Sequence, residues 1–242
     1  MKSKRLICTL LTFLMLTASI SVFAAADNRP ILSVDNVPFL EPGESVIIPL
    51  RLSNLPSGIY MLQLAVKYDA AKLQLTATSQ GDVFSTVGAP TINDSRAGWI
   101  YLIWDSTSKQ ITNDCVLLNM TFTAVGQEGC ETQVRVSDRE ECILANWETE
   151  YTPILTPGSV YIGSISDAAV FQLPRGITSV ENDAFEGVNM DIVIVQGNGT
   201  PLDLSFLNGR GTRYVVANRG SVNVPEQHSY VVITPEEYDS LR

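Results

Sequence analysis

Between residues 31 and 163 apolar and polar side chains alternate with a period of two. Val46, Ile48, Leu50 and Leu52 alternate with Ser45, Ile47, Pro49, Arg51 and Ser53. Tyr60, Leu62, Leu64, Val66 and Tyr68 alternate with Met61, Gln63, Ala65 and Lys67, and Leu118, Met120 and Phe122 alternate with Leu117, Asn119, Thr121 and Thr123. That period places one face of each segment in a core and so predicts strands. Turn-forming runs separate them: Glu41-Pro42-Gly43-Glu44, Leu55-Pro56-Ser57-Gly58, Asn93-Asp94-Ser95-Arg96 and Gly126-Gln127-Glu128-Gly129. No stretch here has a helical period. Short strands at regular spacing predict a mainly β domain, either a sandwich or a barrel.

After Ser159–Ile162, the last strand of this region, Gly163-Ser164-Ile165-Ser166-Asp167 reads as a joint and the pattern changes. Four short apolar runs follow: Ala169-Val170-Phe171, Ile192-Val193-Ile194-Val195, Tyr214-Val215-Val216 and Tyr230-Val231-Val232-Ile233. Phe171 to Val193 is 22 residues and Val193 to Val215 is 22 again. A fixed period in the twenties predicts a solenoid, with parallel strands near 170, 193, 215 and 231. The other form open to such a segment is a small irregular α+β domain. Asn182 to Phe185 reads as a brief helical turn before Gly187.

The N-terminus changes the picture of where the chain works. Lys2, Lys4 and Arg5 precede an apolar run from Leu6 to Phe23 and the small residues Ala24, Ala25 and Ala26. That is the order of a cleaved secretory signal over residues 1–26. A membrane anchor fits less well, because Thr9, Thr12, Thr17, Ser19 and Ser21 interrupt the run, and no later segment is long and apolar enough to span a bilayer. The domains are therefore a signal peptide, 1–26, a sandwich, 27–163, and a small unit, 164–242. Losing the three charges of Lys2, Lys4 and Arg5 takes the net charge from −10 to −13, which disfavours nucleic-acid partners.

Catalytic chemistry is sparse. One histidine in the whole chain, His228, argues against Ser-His-Asp and Cys-His sites. The acidic pairs Glu140-Glu141 and Glu236-Glu237 read as surface acids rather than a facing glycosidase pair. No phosphate-cradling loop or EF-hand loop is present. Of four cysteines, Cys8 leaves with the signal. An exported protein permits disulfides, and Cys130 and Cys142 are the candidate bridge, leaving Cys115 over. The expectation is no enzyme and no cofactor on this chain.

Three stretches in order resemble the cohesin family of cellulosome scaffolds. They are Glu41-Pro42-Gly43-Glu44-Ser45-Val46-Ile47-Ile48-Pro49-Leu50, Val66-Lys67-Tyr68-Asp69-Ala70-Ala71-Lys72-Leu73 and Cys115-Val116-Leu117-Leu118-Asn119-Met120-Thr121-Phe122. Ala70 stands where the family usually has Pro, and Cys115 where Gly is common. Pro157-Gly158-Ser159-Val160-Tyr161-Ile162 resembles the family's closing strand. The resemblance implies a two-sheet, jelly-roll-type sandwich of about nine strands, which binds a dockerin-bearing protein outside the cell and leaves calcium to the dockerin. The tail, through Leu173-Pro174, Ile177-Thr178-Ser179-Val180, Ala184-Phe185 and Tyr214 to Ser221, resembles the leucine-rich repeats of BspA-type bacterial surface proteins.

The resemblance also implies a binding face. It sets Ile100, Leu102 and Trp104 inward, leaving Trp99, Tyr101 and Ile103 outward. With Leu62, Leu64 and Val66 inside, Met61, Gln63, Ala65 and Lys67 point out. The strand from Leu117 to Thr123 is expected in the same sheet, which adds Leu117 and Asn119 to the face. Trp99 and Tyr101 are the expected anchors, because large rigid rings dominate interface energetics. Aromatic platforms also bind sugars, so a carbohydrate-binding or adhesive surface protein, using Trp99 or Trp147, is the alternative, with polysaccharide or the cell surface as partner.

Overall fold

The computed structural model describes residues 28–138, 141–197, 199–225 and 228–241. The segment read as a signal peptide lies outside these residues, as does Glu140. No helix among the described residues is long and apolar enough to cross a membrane.

Thirteen strands build the N-terminal region: β1 (Ile31–Val34), β2 (Val37–Leu40), β3 (Ser45–Ser53), β4 (Met61–Lys67), β5 (Leu73–Gln80), β6 (Thr91–Asn93), β7 (Trp99–Asp105), β8 (Cys115–Ala124), β9 (Cys130–Val136), β10 (Cys142–Ala145), β11 (Glu150–Tyr151), β12 (Ile154–Thr156) and β13 (Gly158–Ile162). A helical turn, α1 (Phe84–Val87), lies between β5 and β6. The strands form two sheets. One has the order β12-β1-β3-β8-β5; the other runs β11-β10-β4-β9-β13-β2, with β7 on the opposite edge of β4 and β6 beyond it. The expected two-sheet sandwich is present, and its strand count exceeds nine because long strands are divided. For example, β9 and β10 lie end to end along one edge of β4.

The alternation read in the sequence is the alternation of the core. Leu50, Leu52, Leu118, Met120 and Phe122 of one sheet pack against Leu62, Leu64, Val66, Ile100, Leu102 and Trp104 of the other, all buried. Each such side chain contributes roughly 1.5–3 kcal/mol of burial, so a one-residue slip of any strand would forfeit several of these contributions together.

The strand β8 departs from simple parity. Leu50 pairs with Leu118 but Arg51 with Val116, so Leu117 is an extra residue opposite the Leu50–Arg51 step. Leu117 and Leu118 are both fully buried. The bulge turns Leu117 inward and corrects its expected outward position. It also brings two backbones close: Gly81 donates its N–H to the Leu117 carbonyl at 3.0 Å. A Cβ on Gly81 would sit 1.8 Å from the Val116 carbonyl oxygen.

The C-terminal region forms β14 (Val170–Gln172), β15 (Ile192–Ile194), β16 (Leu202–Asp203), β17 (Tyr214–Val216), β18 (Val222–Asn223) and β19 (Val231–Ile233), then α2 (Pro235–Ser240). The strands β14, β15, β17 and β19 pair in parallel, with Phe171, Val193, Val215 and Val232 in register. The parallel order expected from the 22-residue spacing is therefore what the structure shows. Both faces of the central strands β15 and β17 are covered, which explains their unbroken apolar runs. Val193 and Val215 enter a core with Leu173, Phe206 and Tyr230, while Ile192 and Val216 enter a second with Tyr238 and Phe39 of β2. The segment expected as a helical turn, Asn182 to Phe185, lies in turns instead. Arg210 occupies its carbonyls, donating to the oxygens of Phe185, at 2.7 Å, and of Asn182.

The two regions touch through aromatic rings. Phe39 stacks on Tyr214 with centroids 5.7 Å apart, and the Arg213 guanidinium lies 3.4 Å from the centroid of Tyr161 on β13. The joint is a short 3-10 turn, Ile165–Asp167, capped by the Ser164 side chain.

The candidate disulfide is absent: Cys115, Cys130 and Cys142 are free thiols. Cys142 pairs with Leu64 and Val136 with Val66 on the same edge of β4. Cys130 lies six residues before Val136 along β9, roughly 20 Å away at strand rise, far beyond the ~7 Å Cα reach of a bridge. Burial pushes the Cys142 thiol up to about 11, and burial with the Asp114 charge does the same for Cys115. At pH 8 neither carries appreciable thiolate, so alkylation of both should be slow in the folded protein and fast in denaturant, as read by mass spectrometry. Rapid native labelling of Cys142 would contradict its packing. Gly81→Ala should lower unfolding stability by about 1–3 kcal/mol or more through overpacking at the bulge, measured by urea unfolding.

Candidate functional site

The β4–β7 pairing decides which side chains share a face. Lys67 is opposite Trp99, Ala65 opposite Tyr101 and Gln63 opposite Ile103. Directly paired residues point to the same side of a sheet, so Met61, Gln63, Ala65, Lys67, Trp99, Tyr101 and Ile103 occupy one surface, the outer face of the sandwich. Asn93 on β6, Ile143 on β10 and Arg135 on β9 join it, paired with Tyr101, Gln63 and Lys67. The sequence reading missed these three because only the sheet order shows which strands lie beside β4 and β7.

Two expected members lie elsewhere. Leu117 and Asn119 belong to β8, which pairs with β3 and β5 in the opposite sheet. Asn119 faces out there beside Pro49 and Ser79, and Leu117 is in the core. That opposite outer face is rich in small hydroxyls, with Ser45 and Thr123 hydrogen-bonded to each other at 2.7 Å. Ala65 keeps its direction but is fully buried. Its single methyl sits below the level of Tyr101 on one side, and on the other the Ser137 N–H closes onto its carbonyl at 2.7 Å.

What is exposed is amphipathic. Met61 is 40% exposed and Ile103 43%. Trp99 and Tyr101 are half-buried, their rings nearly parallel with an 8° interplanar angle and centroids 5.9 Å apart. The Lys67 ammonium lies 4.1 Å from the Trp99 ring centroid and the Arg96 guanidinium 4.7 Å from it. The cations restrain the Trp99 ring, so less side-chain entropy remains to be lost when a partner covers it.

An anchored carboxylate holds Lys67 over the ring. Glu141 pairs with Lys67 at 3.1 Å and accepts the Ser137 hydroxyl at 2.6 Å. The Ser137 hydrogen bond, then Lys67, hold its carboxyl below the usual glutamate range. A lowered folded value means that this stabilisation is present above the ordinary carboxylate range and is lost as pH falls through the lowered value. Ser137→Ala removes no charge, yet it should raise the Glu141 pKa toward the ordinary range in an NMR titration. An unmoved titration would show that Ser137 does not hold the carboxylate.

The other polar residues singled out have structural partners. In α2, Thr234 and Glu237 form a reciprocal capping box, with the Thr234 N–H donating to Glu237 Oε2 at 2.7 Å. His228 lies on the surface, its Nδ1 2.9 Å from the Pro225 carbonyl. Trp147 is 66% exposed and packs on Tyr60 at 5.2 Å. Among the described residues no three His, Cys, Asp or Glu side chains gather as a metal site requires.

Comparison with known proteins covers the sandwich. The family model of the cohesin domain matches residues 31–162. Cellulose-binding protein A of Clostridium cellulovorans is 26% identical over 117 residues, which is 47% of this chain and only 6% of that protein. The sixth cohesin of scaffoldin B from Acetivibrio cellulolyticus, solved in complex with a mutant Cel5 dockerin, is 25% identical, with a TM-score of 0.50 over 55% of this chain and 99% of that one. The seventh ScaB type I cohesin from Pseudobacteroides cellulosolvens is 22% identical, covers 62% of this chain and 98% of its own, and has a TM-score of 0.49. The model spans more than half of the chain and follows the observed sandwich from its first strand to its last, so this chain belongs to the cohesin domain family.

Proposed function

We propose that this chain is an extracellular, non-catalytic interaction module that binds a dockerin-bearing protein through the outer face of β6, β7, β4 and β10, within a polysaccharide-degrading or cell-surface assembly. The observation that supports this reading most is the pairing of an amphipathic, aromatic sheet face with cohesin family membership. A four-stranded sheet face is about the size of a standard interface, ~800 Å² per partner. Tyr101 stands toward its middle and Trp99 at the Lys67 end, with Gln63, Ile103 and Met61 continuing the face along the two central strands. Ala65 contributes flatness rather than contact. The N-terminal sequence supports export, and the tail would accompany the module as a repeat-like companion unit.

Trp99→Ala should weaken binding to a cognate dockerin by about 2 kcal/mol or more, roughly thirtyfold, without loss of fold. Isothermal titration calorimetry beside circular dichroism measures both. Unchanged affinity for both Trp99→Ala and Tyr101→Ala would place the site elsewhere. A second reading, carbohydrate binding, is favoured by Trp147, whose ring is mostly exposed and braced on Tyr60. It requires retention on a polysaccharide gel that Trp147→Ala abolishes.

A further inference from the structure

The chain is acidic, with a net charge of −10, yet one corner of the candidate face is basic. Lys67 stands directly opposite Trp99 on one side and Arg135 on the other. Arg96 reaches the same Trp99 ring from the loop before β7. Like charges directly opposite each other in an antiparallel pair are destabilising, and the Lys67–Arg135 pair is such a placement. Glu141 engages Lys67, but among the described residues Arg135 makes no ion pair or hydrogen bond, and it is exposed. Against the three cations, the described residues of the turn between β9 and β10 set two carboxylates, Glu141 and Asp138.

We propose that Lys67, Arg96 and Arg135, arrayed around the Trp99–Tyr101 stack, form a basic corner that selects partners carrying an acidic segment at the matching edge of their docking surface. The proposal rests on the dockerin reading above and names the charge that such a partner must bring. Two features favour a protein over a charged polysaccharide. The corner is continuous with the exposed aliphatic residues Met61 and Ile103, which suit a packed protein interface. Lys67 and Arg135 also lie on a sheet surface at strand spacing rather than around a groove. Trp99 holds two of the cations, so an approaching carboxylate meets guanidinium and ammonium groups already restrained. Arg135, whose side chain has no partner among the described residues, is placed to form a bidentate contact. Charge complementarity at such a corner acts mainly on specificity and association rate, so its signature is salt-dependent.

The test titrates the full chain and its variants against a panel of purified dockerins at about 50 mM and about 500 mM salt, where screening differs severalfold. Arg135→Gln should weaken the best-binding dockerin about tenfold at low salt, and Arg135→Glu should weaken it further. The loss should shrink at high salt, with melting temperatures no lower than that of the wild type. Charge-neutralising substitution of the matching acidic residues on that dockerin should remove the difference between wild type and Arg135→Gln. If Trp99→Ala abolishes binding while Arg96→Gln and Arg135→Gln bind as wild type at both salts, the face stands and the basic corner falls. If no dockerin binds wild type, or the chain is instead retained by polygalacturonate through Arg135, the dockerin reading fails and this proposal fails with it.

Discussion

The strand β4 is hydrogen-bonded along both edges, to β7 on one side and to β10 and β9 on the other. A strand held on both sides cannot rotate or slip without breaking two ladders, so the direction of each of its side chains is set. Leu62, Leu64 and Val66 enter the core, and Met61, Gln63, Ala65 and Lys67 are left on the outer face. The same ladder carries the constraint to β7: with Val66 opposite Ile100 and Leu64 opposite Leu102, Trp99, Tyr101 and Ile103 have to face outward. The candidate interface is thus a consequence of core packing, because the residues proposed to bind are those the core excludes.

Rigidity on this face is supplied by electrostatics as well as by the backbone. Ser137 orients Glu141, Glu141 pairs with Lys67, and Lys67 lies over Trp99, which stacks on Tyr101. Each contact in this exposed chain is weak by itself, because solvent screens it. Their value lies in restricting the rotamers of two large rings before a partner arrives. The C-terminal region bears on the same face from the far side. Tyr161, outward on β13, is covered by Arg213, and Phe39 is stacked on Tyr214. The outer face therefore ends at the parallel sheet instead of in open solvent.

The repeat-like tail shows how sequence periodicity turns into layers. The first three strands, 22 residues apart, stack in register, and neighbouring residues on one strand serve different cores: Val193 packs with Leu173 and Tyr230, while Ile192 packs with Tyr238 and Phe39. Strands covered on both sides need apolar residues at every position, which is why β15 and β17 read as unbroken apolar runs.

Period-two alternation was enough to identify the sandwich core, because burying one face of a strand leaves a direct trace in the order of residues. The inward set of β4 was legible for the same reason; that of β7, apolar on both faces, came from the resemblance to cohesins, and the parallel strands of the tail came from their 22-residue spacing. Local signals could not tell which strands lie side by side. The assignment of β8 to the sheet opposite β4, and with it the removal of Leu117 and Asn119 from the face, depends on pairing with β3 and β5, residues far away in the chain. The bulge that turns Leu117 inward, the collinear placement of β9 and β10 that separates Cys130 from Cys142, and the meeting of Lys67, Arg96, Arg135 and Glu141 around Trp99 are likewise long-range facts. Alternation records only whether a side chain faces the core, whereas neighbours across a sheet are chosen by hydrogen-bonded pairing and packing that no short stretch of sequence contains.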